Sequence, residues 1–365
     1  MPTDNASPGL EQAIRNRRVL RLAFGTTLAL WISQAFGWPL SFVAPILTLV
    51  ILALPVSRPG ARFFGVLFVA LTGSVYGSFI LLPMLLHQRL AGLLILSLAL
   101  FHCFYFTARG GAAVIGVLLT IGLSVMVAVG SVSVDALIAV AHGVTFAAIV
   151  GIVIAWFSHV LLPDPPELAD SSARAADGSD KPPADVARRH AMRALAIVLP
   201  ITIWFLYSSA SAANTAVMIK VAAMGQEASV GGTKKAAKSL LVSTLAGGFA
   251  AVVAWQLLLV WPSLTLYTLL VAIAALVFGA KIFKGRGLQE DGETWSYALL
   301  TMIVVLAPAV LDSQFGTAAN ARFYDRLLMF MGASAYGIVA VYVYDAFFPG
   351  TKQSIGQTAT PESQP

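Results

Sequence analysis

The chain has 365 residues, 58% of them hydrophobic and 11% charged, with a mean hydropathy of +0.83. A water-soluble domain carries about a quarter charged residues, so that class is excluded. Barrel strands are excluded as well, because the apolar stretches run on without a period of two. The net charge of +6 would suggest a nucleic-acid partner in a soluble chain. Here the basic residues sit in short connections between apolar runs, where they orient a membrane protein.

The expected fold is all-α and polytopic, with about twelve transmembrane helices as two parallel six-helix repeats. Residues 1–18 form a polar, cytoplasmic N-terminal segment without the apolar core of a signal peptide, so the first span is read as retained. Apolar stretches follow at 19–36, 40–56, 63–82, 88–107, 111–130 and 137–162, together a first membrane repeat over 19–162. Residues 163–190 hold Pro165, Pro166, Pro182 and Pro183 with acids from Asp164 to Asp185, and such a composition reads as a flexible cytoplasmic linker. The second repeat, 191–349, has stretches at 191–209, 212–230, 238–258, 264–283, 295–312 and 326–348. Residues 350–365 read as a disordered cytoplasmic tail. With this count, nearly all lysines and arginines of the connections fall on one side, leaving Arg89, Arg322 and Arg326 on the other. The basic side is retained in the cytoplasm, so both termini face inward.

The halves correspond in sequence. Setting Arg18 on Arg193 brings Leu20 onto Leu195, Gly73 onto Gly248, Leu94 onto Leu269, Ala99 onto Ala274 and Arg109-Gly110 onto Lys284-Gly285. The last spans agree when Gly151-Ile152-Val153 is set on Gly337-Ile338-Val339, the extra residues falling near the acidic insert at Gln289 to Glu293. Six spans per copy give both copies one orientation, and transporters of this type place their substrate between the halves near mid-membrane.

Charges within spans carry the functional signal, because each costs a few kcal/mol at mid-bilayer unless paired or hydrated. Lys220 falls halfway along the eighth span, at the position that Pro45 occupies in the second. A cation in one copy and a proline in the other both suit a discontinuous helix lining a cavity. The eighth span also carries Asn214, Gln226 and Glu227, and Glu227 is the acid best placed inside the protein. Lys220 is therefore the expected counter-charge for a substrate carboxylate, against the plainer reading that it snorkels to the interface or pairs with Glu227. Asp312 and His142 are further proton-coupling candidates. Arg58 and Arg62 in one half, and Thr233, Lys234, Lys235 and Lys238 in the other, form a candidate cytoplasmic gate or an ordinary positive-inside loop. Trp31 and Trp204, with Tyr207 and Trp255, could stack on an aromatic substrate, whereas Trp38, Trp261 and Tyr267 read as interfacial anchors. Small-residue runs such as Gly73 to Gly77 and Gly247-Gly248 suit close helix approach.

No metal or cofactor is expected. The histidines lack ligand spacing, the lone Cys103 excludes a cysteine site, and no phosphate-binding loop occurs. No nucleophile–base motif suggests an enzyme.

Phe42-Val43-Ala44-Pro45, Pro55, Arg58, Arg62 and Leu71-Thr72-Gly73-Ser74-Val75-Tyr76-Gly77 in the first half have a counterpart in the second. It runs from Asn214 to Lys220, then Ser229-Val230-Gly231-Gly232-Thr233-Lys234-Lys235, Lys238 and Leu245-Ala246-Gly247-Gly248. This arrangement resembles the fusaric acid resistance family and its aromatic-acid exporter relatives. The resemblance implies export of aromatic or other organic acids across the bacterial inner membrane, often beside a periplasmic adaptor. The larger exporters have a substantial cytoplasmic domain, for which this chain has no counterpart. The expected partners are a small organic anion, the lipid bilayer, an adaptor and further copies of the chain, without nucleic acid. A passive organic-anion channel and a non-transporting scaffold are the competing expectations. A major facilitator fits less well, because the loop Pro55 to Gly60 lacks that family's acid.

Overall fold

The computed structural model describes residues 8–54, 59–131, 133–164, 182–207, 215–230, 233–284, 292–312 and 318–348. These form twelve helices and, among the described residues, no strand. They are α1 (Pro8–Phe36), α2 (Val43–Leu52), α3 (Ala61–His87), α4 (Arg89–Ala108), α5 (Ala113–Gly130) and α6 (Val134–Leu161), then α7 (Ala184–Tyr207), α8 (Thr215–Val230), α9 (Thr233–Val260), α10 (Leu264–Ile282), α11 (Gly292–Asp312) and α12 (Ala318–Phe347). Lengths in the first half are 29, 10, 27, 20, 18 and 28 residues, and in the second 24, 16, 28, 19, 21 and 30. In both halves the second helix is the shortest, by a wide margin in the first (10 against 18 residues) and a narrow one in the second (16 against 19).

Among the described residues, nine helices are long and apolar enough to cross a membrane: all except α2, α7 and α8. The chain is therefore a multi-pass membrane protein. At a rise of about 1.5 Å per residue, the ten residues of α2 reach only about half of a ~30 Å hydrocarbon layer. The apolar stretches 40–56 and 212–230 are thus longer than the helices they contain. Two boundaries also move. Helix α1 begins at Pro8, inside the segment expected to precede the membrane, and α7 begins at Ala184, inside the expected linker.

The described chain divides into two compact units, and each draws on both halves of the sequence. The first comprises Met1–Phe68, His142–Ser179 and Val242–Tyr324. In it α1 packs on α2 and α10, α10 on α11, and α11 on α2. The second comprises Val69–Ala141, Asp180–Leu241 and Asp325–Pro365. There α7 packs on α8 and α4, and α8 lies against α4 and α5. Each unit thus joins the first and second helices of one half to the fourth and fifth of the other. Four of the five unit boundaries fall within helices, namely α3, α6, α9 and α12.

Glycine decides several of these contacts. A Cβ at Gly151 would come within 3.0 Å of the Ala44 carbonyl, so α6 lies directly on the backbone of α2. Gly247 likewise meets the Ala298 carbonyl of α11. Gly73 and Gly77 do not act this way, since a Cβ at either would meet nothing within 4 Å. The expected close approach along α3 is made from the opposite side, where Gly122 of α5 receives Ser74. Gly110 has φ +90, which ends α4 in a left-handed turn that a side chain rarely adopts. Beside it, Arg109 Nη1 donates to the Pro182 carbonyl at 2.6 Å, tying the end of α4 to the start of α7.

Candidate functional site in the second unit

Helix α8 forms the centre of the second unit. Every residue from Val217 to Gln226 is buried, a pattern expected of a helix surrounded by protein on all sides. Such a helix is normally apolar throughout, yet this one holds Lys220, 1% exposed, and Gln226, also 1% exposed. Lys220 therefore does not snorkel to a surface. Val217, Met218, Ile219, Val221, Ala222, Ala223 and Met224 flank it, none more than 2% exposed. An ionisable residue kept in such a place against a cost of several kcal/mol is a functional-site signal.

Gln226 fixes α8 to α5. Its Nε2 donates to Thr120 Oγ1 at 3.0 Å, and Thr120 Oγ1 donates to the Gly116 carbonyl at 2.8 Å. Gly116 makes room for the amide, because a Cβ there would stand 2.9 Å from Gln226 Oε1. Gly116, Thr120 and Ser124 are spaced four apart and share one face of α5. Ser124 Oγ is buried and has no partner among the described residues. Together they make a polar seam inside an otherwise apolar core built from Leu96, Leu100, Phe104, Val198 and Val221. The seam's strength is testable. Thr120→Val should cost about 1–3 kcal/mol, because it removes the acceptor of the buried Gln226 amide, and Gln226→Leu only about 0.5–1.5 kcal/mol, because Thr120 keeps its bond to the Gly116 carbonyl. The double variant should cost clearly less than the sum of the two, read as thermal melting in detergent.

The first unit has the same short central helix without the polar groups. Residues Val43 to Leu49, Ile51 and Leu52 of α2 are buried. In the repeat alignment Lys220 falls on Pro45 and Gln226 on Ile51. Thr48 satisfies itself on the Ala44 carbonyl at 3.0 Å and reaches the Gly151 carbonyl at 3.2 Å. The expectation that Pro45 interrupts a span needs correction. The helix begins at Val43, so Pro45 lies in its first turn, where a missing amide donor costs nothing, and α2 continues unbroken to Leu52.

The other sequence-derived candidates are scattered. Trp31 is 51% exposed in the first unit and Trp204 61% exposed in the second. His142 is exposed on α6, whereas the buried histidine is His159, whose Nδ1 lies 2.9 Å from the Ala155 carbonyl. Asp312 faces Arg322 at 3.7 Å, an ion pair within the first unit. Arg62 and Lys238 are exposed in the opening turns of α3 and α9. Asn214 and Arg58 lie outside the described residues. Glu227, Thr233, Lys234 and Lys235 fall within helices, but their side chains lie outside them too. Two aromatic expectations change. Trp255 is fully buried, donating from Nε1 to Asn320 Oδ1 at 3.0 Å and stacking on Phe323 at 5.1 Å, so its faces are taken up inside the protein. Tyr267, expected at an interface, has no exposed surface.

Sequence reasoning missed a second set of buried charges. Asp164, assigned to the solvated linker, instead has its side chain buried, 1% exposed. It accepts Arg18 Nη2 at 3.1 Å and Arg21 Nη1 at 3.2 Å, with both guanidiniums buried. In the second unit Arg193 Nη2 meets Asp345 Oδ2 at 3.2 Å, again buried. Each half thus ties the start of its first helix to a carboxylate at the end of its sixth. The signal was present in the sequence: Arg18 aligns with Arg193, and Arg21 lies inside an apolar stretch that assigned it no partner. His190, ahead of the apolar part of α7, is held below the ordinary histidine range, by burial first and then by the Arg193 guanidinium, against the pull of Asp345.

These features define an all-helical, multi-pass membrane protein with a polar seam in one of two related units. Residues 18–157 match the family model described as "Protein of unknown function (DUF2955)". The match runs from Arg18 in α1 to Phe157 in α6, nearly all of the first sequence repeat. No curated protein and no solved structure matches the chain.

Proposed function

We propose that the chain is a transporter that exports small organic acids, aromatic ones foremost, across the bacterial inner membrane, with both termini cytoplasmic. The observation that carries the reading is Lys220: a cation 1% exposed at the centre of α8, where the related helix α2 has Pro45. A buried cation at such a position is suited to take a substrate carboxylate as its counter-charge during the cycle. The resemblance to the fusaric acid resistance family supplies the substrate class, together with a periplasmic adaptor. Gln226, Thr120 and Ser124 offer hydrogen bonds to the remainder of the substrate. Glu227 exchanges protons and so couples export to the proton gradient. The inside-negative potential assists an outgoing anion by about 2.3 kcal/mol per charge per 100 mV.

Purified protein in liposomes, loaded with a radiolabelled aromatic carboxylate, tests this. Efflux should rise when a pH gradient is imposed, and Glu227→Gln should abolish that response. An anion current that follows only the anion gradient and survives Glu227→Gln would identify a passive channel instead. No flux under either condition would leave a scaffold.

A further inference from the structure

The first turns of α1 hold Arg15, Arg17, Arg18 and Arg21, of which Arg18 and Arg21 are neutralised by Asp164. The other two bond carbonyls. Arg15 Nη2 donates to the Ala280 carbonyl at 2.6 Å, and Arg17 Nη1 to the Pro163 carbonyl at 3.4 Å. Among the residues whose side chains are described, from Gln12 onward in α1, neither forms an ion pair with a carboxylate. Beside Arg15 opens a cleft of about 430 Å³, lined by Gln12, Arg15, Asn16, Val19, Leu20 and Ala280. That volume lies within the range of small-ligand sites.

The lining is ordered along the helix. Gln12, Arg15 and Asn16 form a polar end, with Gln12 Nε2 donating to Asn16 Oδ1 at 3.0 Å. Val19 and Leu20 follow one turn later, and Leu20 is 51% exposed. The apolar stretch of α1 begins at Val19. Leu20 therefore stands at the edge of the hydrocarbon, and Arg15, about 6 Å before Val19 along the helix at about 1.5 Å per residue, lies at headgroup depth. A second cation follows the cleft residue Ala280 in the chain. Lys281, next to Ala280, is held 3.8 Å from the centre of the Trp295 ring, an aromatic type enriched at that depth.

We infer that this cleft binds one anionic phospholipid, its phosphate on Arg15 and an acyl chain along Val19 and Leu20. Capping the end of α10 is a lesser role that uses one Arg15 nitrogen and leaves the others for the phosphate. The related position in the second half is His190, so the site occurs once per chain. The inference is independent of what the protein transports.

Native mass spectrometry of the full chain, delipidated and supplied with phosphatidylglycerol or with phosphatidylcholine of the same acyl chains, reads the site directly. The wild type should retain one phosphatidylglycerol in preference to phosphatidylcholine by about fivefold, the scale set by one basic residue at an anionic surface. Arg15→Gln should lose that preference, while Arg17→Gln keeps it. Should Arg15→Gln fold poorly, Leu20→Glu preserves the Ala280 contact and should repel the lipid equally. Equal retention of the two lipids by the wild type, or an unchanged preference in both Arg15→Gln and Leu20→Glu, overturns the site. Displacement of the lipid by millimolar inorganic phosphate would show a free anion as the ligand and overturn the lipid assignment.

Discussion

Asp164→Ala is expected to be the most damaging single substitution in the first unit, costing about 3–5 kcal/mol, the range for breaking a buried ion pair by removing one partner. The asymmetry of the site explains the severity. One carboxylate answers two guanidiniums, and Arg18 and Arg21 are 2% and 0% exposed. Without it, both cations remain in a low-dielectric interior, where among the described residues the Leu162 carbonyl, 3.3 Å from Arg21 Nη1, is a partial substitute. Asp345→Ala in the second unit should do less, because it strands the single Arg193. Replacing charge and partners together tests the cause. In Arg18→Met/Arg21→Met/Asp164→Leu, most of the lost stability should return, since apolar groups of similar volume often replace a buried ion triad at little cost. Fluorescence-detected size exclusion after heating gives the readout. If Asp164→Ala melts with the wild type, the carboxylate is solvated and the burial described above is wrong.

These ion pairs also mark how far the sequence could be read. The apolar runs disclosed the helices, because hydropathy measures what a segment must avoid, namely water. It carries no information about which other segment covers it, so the pairing of α1 and α2 with α10 and α11, and of α7 and α8 with α4 and α5, could not be deduced. The same gap explains α2 and α8. A helix enclosed by protein is as apolar as one facing lipid, and only its length, set by connections of unremarkable composition, distinguishes them. Asp164 was misplaced because a Pro-rich acidic stretch reads as solvated as a whole, whereas its first acid belongs to the end of α6. Lys220 was legible for the opposite reason: a lone cation in an apolar run has few harmless explanations. The polar seam on α5 was not, since Thr120 and Ser124 are unremarkable in any membrane helix until Gln226 is seen against them.

Lys220→Met separates a transport role from a structural one. The two side chains have similar length and volume, so the packing between Ile219 and Val221 is preserved and only the charge is removed. If Lys220 exists to hold a substrate carboxylate, flux of the aromatic acid in liposomes should fall at least tenfold, equivalent to about 1.4 kcal/mol of lost binding. Stability should hold to within about 1.5 kcal/mol, because the desolvation penalty of the buried charge is removed along with its contacts. A structural cation gives the reverse: a strongly lowered melting temperature, with flux per folded molecule intact. Lys220→Arg sharpens the contrast. The guanidinium keeps the charge but is planar and larger, so in the tightly filled centre of α8 it should restore little transport, whereas at a solvated site it would restore most of it. Full activity in Lys220→Met, with melting unchanged, would remove the one observation on which the exporter reading rests.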